Sequence, residues 1–122
     1  MSALKTHPQN DTTRVGLLVK ITMAYVNNNV DSAVGFANEA LSISQKIAYE
    51  KGESLSLQTL GIISINKNEY DKALSYYNKA LEITQKNGNS IGISVIYCHI
   101  GDIYARSSKH NEAIEFYKKA LA

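Results

Sequence analysis

Apolar residues recur along most of the chain at steps of three and four, which is the spacing of one face of an α-helix. The last third shows this in two runs: Ile93, Tyr97, Ile100 and Tyr104, then Ala113, Phe116, Tyr117, Ala120 and Leu121. Short polar segments rich in Asn separate such runs, and Asn tolerates the left-handed backbone that ends a helix. The pattern predicts six helices, near residues 11–27, 31–47, 50–66, 70–87, 90–106 and 110–122.

The chain also repeats itself. The segment Ala-Leu-Ser-Ile-Ser-Gln-Lys at 40–46 returns as Ala-Leu-Glu-Ile-Thr-Gln-Lys at 80–86, a shift of 40 residues. Gly61 and Ala73 return at the same shift as Gly101 and Ala113. Such self-similarity is typical of stacked helical repeats. It divides the chain into three helix pairs, near 11–49, 50–89 and 90–122, after a segment 1–10 that we expect to be flexible.

The repeats carry a recognisable signature. The last one reads Tyr97-x-x-Ile100-Gly101-x-x-Tyr104, then Ala113, Tyr117 and Ala120, and the middle one reads Leu57-x-x-Leu60-Gly61, then Ala73, Tyr77 and Ala80. This pattern resembles the tetratricopeptide repeat, in which small residues let two helices cross closely while large ones fill the gaps beside them. The first unit is degenerate, with Ile21 where the Gly belongs and Ala37 where the aromatic residue belongs.

The resemblance implies an all-α fold, a right-handed α-solenoid of three antiparallel helix pairs with a concave inner face. The unit departs from the family pattern in length, with 40 residues instead of the usual 34, and in having Gln45 and Gln85 near the usual helix-terminating Pro. Without Pro the second helix runs on, which lengthens the unit. Long units of this kind resemble those of kinesin light chains and of bacterial signalling proteins. HEAT-type repeats share the length, but the Gly–Ala–aromatic pattern argues against them.

The resemblance also implies that the first helix of each pair lines a groove that holds a protein or peptide. At a constant shift of 40, the candidates for this groove are Leu18, Thr22, Tyr25, Gln58, Ile62, Ile65, Asn66, Cys98, Asp102 and Arg106. The set is apolar towards the N-terminus, which favours an apolar or amphipathic segment, with an acidic group near Arg106. Chaperone-binding relatives grip a carboxylate with Lys and Asn where this chain has Leu18 and Thr22, so that ligand class is rejected. The alternative is that Leu18, Ile62 and Ile65 only pack against neighbouring helices.

The last helix offers a second candidate surface. Ile114, Tyr117 and Leu121 share a face that no later helix of the sequence would cover. Exposed apolar faces of this sort usually mark an interface. Either the chain is a fragment of a longer array, which we favour, or a homodimer forms through this helix.

Composition and charge argue against several classes of function. The formal net charge is +2 with acidic and basic residues interspersed, so no broad field attracts nucleic acid or an anionic membrane. No apolar stretch approaches the ~20 residues that span a bilayer, and the start lacks a signal peptide. Cys98 is the only cysteine, which favours a reducing compartment. These features together predict a cytoplasmic protein.

Little in the chain suggests catalysis. Cys98, His99 and Asp102 lie close in sequence, but zinc sites usually need three or four ligands, and adjacent helical residues point about 100° apart. We therefore expect no catalytic residue, no metal and no cofactor. The sequence predicts a non-enzymatic protein-binding module of a signalling or scaffolding protein, with self-assembly through the last helix as the alternative.

Overall fold

The structure is a computed structural model that describes residues 11–26 and 28–122. Over these residues the chain forms six helices and no strand: α1 (Thr12–Tyr25), α2 (Val30–Lys46), α3 (Glu50–Asn66), α4 (Tyr70–Asn87), α5 (Ser90–Arg106) and α6 (His110–Leu121). Each helix packs against the next one along the chain. The prediction of an all-α solenoid of three helix pairs is confirmed. The segment 1–10, predicted to be flexible, lies outside the described residues.

The 40-residue unit is made of two helix–turn units of equal length. Helices α2 to α6 begin 20 residues apart, at residues 30, 50, 70, 90 and 110. The turns that follow α2 to α5 each contain one residue with left-handed backbone, and these are also 20 apart: Ala48, Asn68, Gly88 and Ser108. In each turn the next amide donates to a carbonyl five residues back, as from Tyr49 to Ser44 at 2.8 Å. This helix ending satisfies carbonyl groups that the last helical turn leaves unpaired.

The core lies where small residues let the helices approach. Ala73 and Ala80 of α4 are completely buried beside the aromatic ring of Tyr77, which is also completely buried. A Cβ added to Gly61 would lie 2.6 Å from Tyr77 Cε2, so this ring needs a glycine beneath it. Ile96 and Ile100 of α5 join the same cluster and connect the second helix pair to the third.

The first helix, α1, does not follow the shift of 40 residues that relates the other helices. A shift of 40 would place its buried residues on exposed or half-buried positions of α3, whereas a shift of 42 places them on buried positions and most of its exposed residues on exposed or half-buried ones. The buried residues that then correspond are Val15, Leu18 and Thr22 with Leu57, Leu60 and Ser64. The second helices keep the shift of 40, since Ala33 and Ala40 return as Ala73 and Ala80. The turn between α1 and α2 differs from the later turns, because the amides of Asn28 and Asn29 both donate to the Tyr25 carbonyl, three and four residues back, instead of five.

This register explains why the first unit looks degenerate. At an offset of 42 the counterpart of Gly61 is Val19, while the counterpart of Tyr77 remains Ala37. Val19 packs against the cluster that contains Ala40, and Ala37 is buried. The large residue has therefore moved from α2 to α1, and the pair of helices keeps its packing volume.

Candidate functional site

Two strips of side chains face the solvent along α3 and α5, at positions 40 residues apart. The α3 strip contains Lys51, Leu55, Gln58, Ile62 and Asn66, and the α5 strip contains Ile91, Val95, Cys98, Asp102 and Arg106. We call these two strips together the groove. Six of the residues predicted from sequence lie on it: Gln58, Ile62, Asn66, Cys98, Asp102 and Arg106. Gln58 and Ile62 are half-buried, and the other four are exposed.

The strips converge on a cleft of about 490 Å³ at the N-terminal ends of α3 and α5, next to the C-terminal end of α4. Its apolar part is made by Leu55, Ile91 and Val95, whose exposed fractions are 41%, 79% and 42%. Polar residues surround them: Glu50, Lys51, Ser54, Gln58, Thr84, Asn87 and Asn89. Three large apolar side chains that meet at one exposed cleft are uncommon on a surface without a partner.

Ile91 was not among the residues predicted from sequence. It lies four positions before Val95, so the two share one face of α5. This spacing was available in the sequence. The family pattern hides it because Ile91 falls in the six residues by which this unit exceeds the usual length.

Ion pairs and hydrogen bonds organise the polar residues of the groove. Lys86 Nζ at the end of α4 lies 3.6 Å from Glu50 Oε2 at the start of α3. Gln58 Nε2 donates to Ser54 Oγ at 3.1 Å, which orients the side-chain amide in the middle of the α3 strip. Tyr117 Oη donates to Asp102 Oδ1 at 2.5 Å. Asp102 is thus held against α6 and does not project freely into the groove.

The junction beside Asp102 contains two further titratable rings. His99 stacks on Tyr77 with 5.2 Å between ring centroids. Burial lowers the pKa of His99 below its usual value, although the charge of Asp102 acts in the opposite direction. Burial, with a smaller contribution from Asp102, raises the pKa of Tyr77. The hydrogen bond to Asp102 raises the pKa of Tyr117 to about 12.

The titratable side chains of the described residues do not assemble a metal centre. Among the described residues no group of three or more His, Cys, Asp or Glu side chains is placed to hold a metal ion. Cys98 is exposed in the groove as a free thiol. None of the described helices is long and apolar enough to cross a membrane.

Four predicted residues lie away from the open surface of the groove. Leu18 and Thr22 are completely buried, and the Thr22 hydroxyl donates to the Leu18 carbonyl at 2.7 Å. Ile65 is buried in the cluster around Tyr77. Tyr25 is half-buried, and its ring stacks on Phe36 with 5.9 Å between centroids. The offset of 42 explains the first two placements, since it turns that side of α1 towards α2 and α3.

With that offset, the residues of α1 that correspond to the α3 strip are exposed. Thr13, Gly16, Lys20 and Ala24 correspond to Leu55, Gln58, Ile62 and Asn66. At this offset Gly16 and Lys20 stand where the carboxylate-binding relatives have Lys and Asn, and the rejection of that ligand class stays a prediction. The exposed side chains of α1 are therefore smaller and more polar than the sequence pattern predicted.

The predicted face of α6 divides into two parts. Ile114 and Leu121 are exposed by 50% and 89%. Tyr117 is half-buried, and its ring packs where a Cβ on Gly101 would lie 2.7 Å from Cε1. The open apolar surface of α6 is thus made by Ile114 and Leu121, while Tyr117 belongs mainly to the contact between α5 and α6.

Comparisons with known proteins agree with the fold. The profile of the tetratricopeptide repeat family matches residues 53–122. The crystal structure of the TPR domain of Arabidopsis FLU is similar, with a TM-score of 0.80 and 21% identity over 88% of this chain and 92% of that domain. No curated protein matches the chain significantly. The resemblance to kinesin light chains stays a prediction.

Proposed function

The chain belongs to the tetratricopeptide repeat family, and we propose that it binds an apolar segment of a protein partner in the groove along α3 and α5. Domains of this family are generally scaffolds for protein–protein interaction and typically lack enzymatic activity. The resemblance to bacterial signalling repeats further supports a role in a signalling or regulatory protein.

The observation that carries the proposal is the cleft between α3 and α5. Leu55, Ile91 and Val95 expose apolar surface to water at one place. Burying one large apolar side chain there contributes about 1.5–3 kcal/mol to binding. A cleft of about 490 Å³ has room for such a side chain. The cleft is therefore the expected centre of the binding energy, as in other interfaces where a few buried residues dominate.

The groove beyond the cleft supports an extended or amphipathic segment. The Gln58 amide keeps its carbonyl oxygen and one N–H for a ligand after it donates to Ser54. A side-chain amide with both groups pairs well with the backbone of an extended peptide. Ile62 and Asn66 continue the strip along α3, so apolar and polar groups alternate beside the ligand.

A displayed random peptide library, followed by fluorescence anisotropy of the selected peptides, tests the proposal. Leu55→Gln is expected to weaken the selected peptides at least tenfold, because the cleft loses apolar surface. Ile114→Gln is the matched control, since Ile114 is a similarly exposed apolar residue outside the groove. Failure to select any peptide, or equal losses in the two variants, would contradict the proposal.

A second candidate function is self-assembly through α6. The exposed Ile114 and Leu121 support it, since water contacts most of the Leu121 side chain. Light scattering over a range of protein concentrations tests it. A dimer that dissociates in Ile114→Gln and persists in Leu55→Gln supports self-assembly, whereas a monomer at high concentration excludes it.

A further inference from the structure

The cleft between α3 and α5 has a counterpart at the preceding junction, between α1 and α3, and the counterpart is filled. A Cβ on Gly52 would lie 2.6 Å from Tyr49 Cδ2 and 2.8 Å from Val15 Cγ1. Tyr49 and Ile47 both pack against the cluster formed by Val15, Leu18, Ala40 and Ile43. Side chains from the turn after α2 therefore close the first junction.

The second junction follows a turn with the same backbone form but has different side chains. At a shift of 40, Gly52 corresponds to Gly92, Tyr49 to Asn89, and Ile47 to Asn87. The atoms nearest to a Cβ on Gly92 belong to the side chains of Asn89 and Thr84, and no ring is among them. Asn87 and Asn89 line the open cleft. The second junction thus keeps the small residue, but the shorter and polar Asn89 side chain lies over it in place of a ring.

The turn before each junction has the same backbone form in both cases. Ala48 and Gly88 have nearly the same φ, 54° and 67°, and both turns close with the same five-residue hydrogen bond. The next helix begins two residues later in both cases. Two differences leave the cleft open: the apolar residues of the first turn are replaced by two asparagines, and α3 and α5 approach each other less closely than α1 and α3 do.

We propose that the cleft receives an aromatic side chain of the partner, which supplies beside Asn89 the apolar bulk that Tyr49 and Ile47 supply at the first junction. The inference rests on the proposed function and adds the chemistry of the anchoring residue. Leu55, Ile91 and Val95 contact the faces of the ring, and the polar rim receives its outer edge. A phenolic hydroxyl suits this rim, since Lys51, Gln58 and Asn87 offer donors and acceptors there. Among the described residues, the carboxylate of Glu50 that lines the cleft is already paired with Lys86 at 3.6 Å, so the nearby charge of Lys51 disfavours a Lys or Arg side chain at the same place.

The first experiment uses p-cresol, the side-chain analogue of tyrosine, as the probe. Titration into isotope-labelled protein, followed by amide NMR spectra, is expected to shift the signals of Leu55, Ile91 and Val95. In Asn89→Tyr the added ring fills the cleft from within, and these shifts are lost. Shifts that are absent in the wild type, spread over the whole chain, or unchanged in Asn89→Tyr would overturn the proposal.

The second experiment uses the peptides selected on the wild-type protein. Aromatic residues are expected at one fixed position, and their replacement by alanine is expected to weaken binding at least tenfold. Asn89→Tyr is expected to weaken the same peptides by a similar factor. A Tyr at this position is compatible with the helix start, since Tyr49 precedes α3 without a side-chain cap. Asn89→Gln is the control that loses the Asn cap without adding a ring.

The outcomes distinguish the proposal of an aromatic anchor from the proposal that the groove binds a peptide. Peptides that require Leu55 but carry aliphatic anchors, or that still bind Asn89→Tyr, would overturn the aromatic anchor and leave the groove as the binding site. The absence of any selected peptide would contradict the proposed function itself. If Asn89→Tyr fails to fold, as circular dichroism would show, the alanine replacements in the peptides and the p-cresol titration of the wild type still decide.

Discussion

Tyr77 and Tyr117 occupy the same position in consecutive repeats but have different surroundings. Each ring lies over a glycine of the preceding helix, Gly61 or Gly101, with almost the same spacing. Tyr77 is covered by α5 and completely buried, whereas Tyr117 belongs to the last described helix and is half-buried. The repeat therefore determines what lies beneath the ring, and the next repeat determines what lies above it.

The hydroxyl groups of Tyr77 and Tyr117 differ in hydrogen bonding because their rings are covered differently. Tyr117 Oη donates to Asp102, while Tyr77 Oη is buried without a hydrogen-bond partner among the described residues. The position that corresponds to Asp102 in the middle repeat is Ile62, which offers no acceptor. A buried hydroxyl without a partner costs about 1–3 kcal/mol of desolvation free energy. The middle repeat gains burial and loses a hydrogen bond, and the last repeat does the opposite.

The largest expected effect comes from the glycines. Gly61→Ala forces a methyl group against a ring that α5 holds in place, so overpacking of about 1–3 kcal/mol outweighs the gain in helix propensity of up to about 1 kcal/mol. We expect the free energy of unfolding to fall by about 1–2 kcal/mol. In Gly101→Ala the partly exposed Tyr117 ring can shift, which weakens its hydrogen bond to Asp102. The gain in helix propensity offsets this loss, so the expected net change is within about 0.5 kcal/mol. Urea unfolding measures both, and equal losses would show that cover from α5 does not matter.

The hydroxyl groups give effects of opposite sign. Tyr77→Phe removes a buried donor without a partner and is expected to raise the free energy of unfolding by up to about 1 kcal/mol. Tyr117→Phe removes the hydrogen bond to Asp102 and is expected to lower it by about 0.5–1.5 kcal/mol. Thermal and urea unfolding of the two variants test the contrast. A loss in Tyr77→Phe would mean that its hydroxyl has a partner, such as an ordered water molecule.

The smallest expected effect concerns pH. Burial lowers the pKa of His99 in the folded chain, so unfolding takes up a proton once the pH falls below 6.5, the usual value for His. The stabilisation is therefore present above 6.5 and is lost progressively as the pH falls through the lower pKa of the folded state. We expect the urea midpoint to drop between about pH 7.5 and about pH 5.5, and His99→Gln to reduce that drop. An identical pH dependence in His99→Gln would mean that His99 is not involved.

Individual residues show which features of the structure could be predicted from the sequence pattern. The helices, their order and the glycine–aromatic contacts were predictable, because Gly61, Ala73 and Tyr77 recur with their helical spacing intact. Six residues of the α3 and α5 strips followed from the same spacing, whereas Ile65, predicted with them, is buried. The α1 strip did not follow from it, because Leu18 and Thr22 were placed by a shift of 40 while α1 packs with an offset of 42.

The cleft was predictable only in part. Leu55 and Val95 occupy inward-facing positions of the family pattern, but Ile91 lies in the residues that this pattern does not contain. Asn87 and Asn89 resemble ordinary residues that end one helix and begin the next. That they leave a space which Ile47 and Tyr49 fill one repeat earlier becomes visible only when the two junctions are compared in three dimensions.

The sequence by itself determined the number of helices, their 20-residue spacing from α2 onwards and the family, because these depend on local periodicity and on small residues at fixed intervals. Tertiary structure decided which face of α1 is buried, which of two equivalent tyrosines is covered, and which of two equivalent junctions is open. Each of these depends on side chains from helices or turns distant in sequence meeting at one place, and a repeat period does not encode how neighbouring copies fill the space between them.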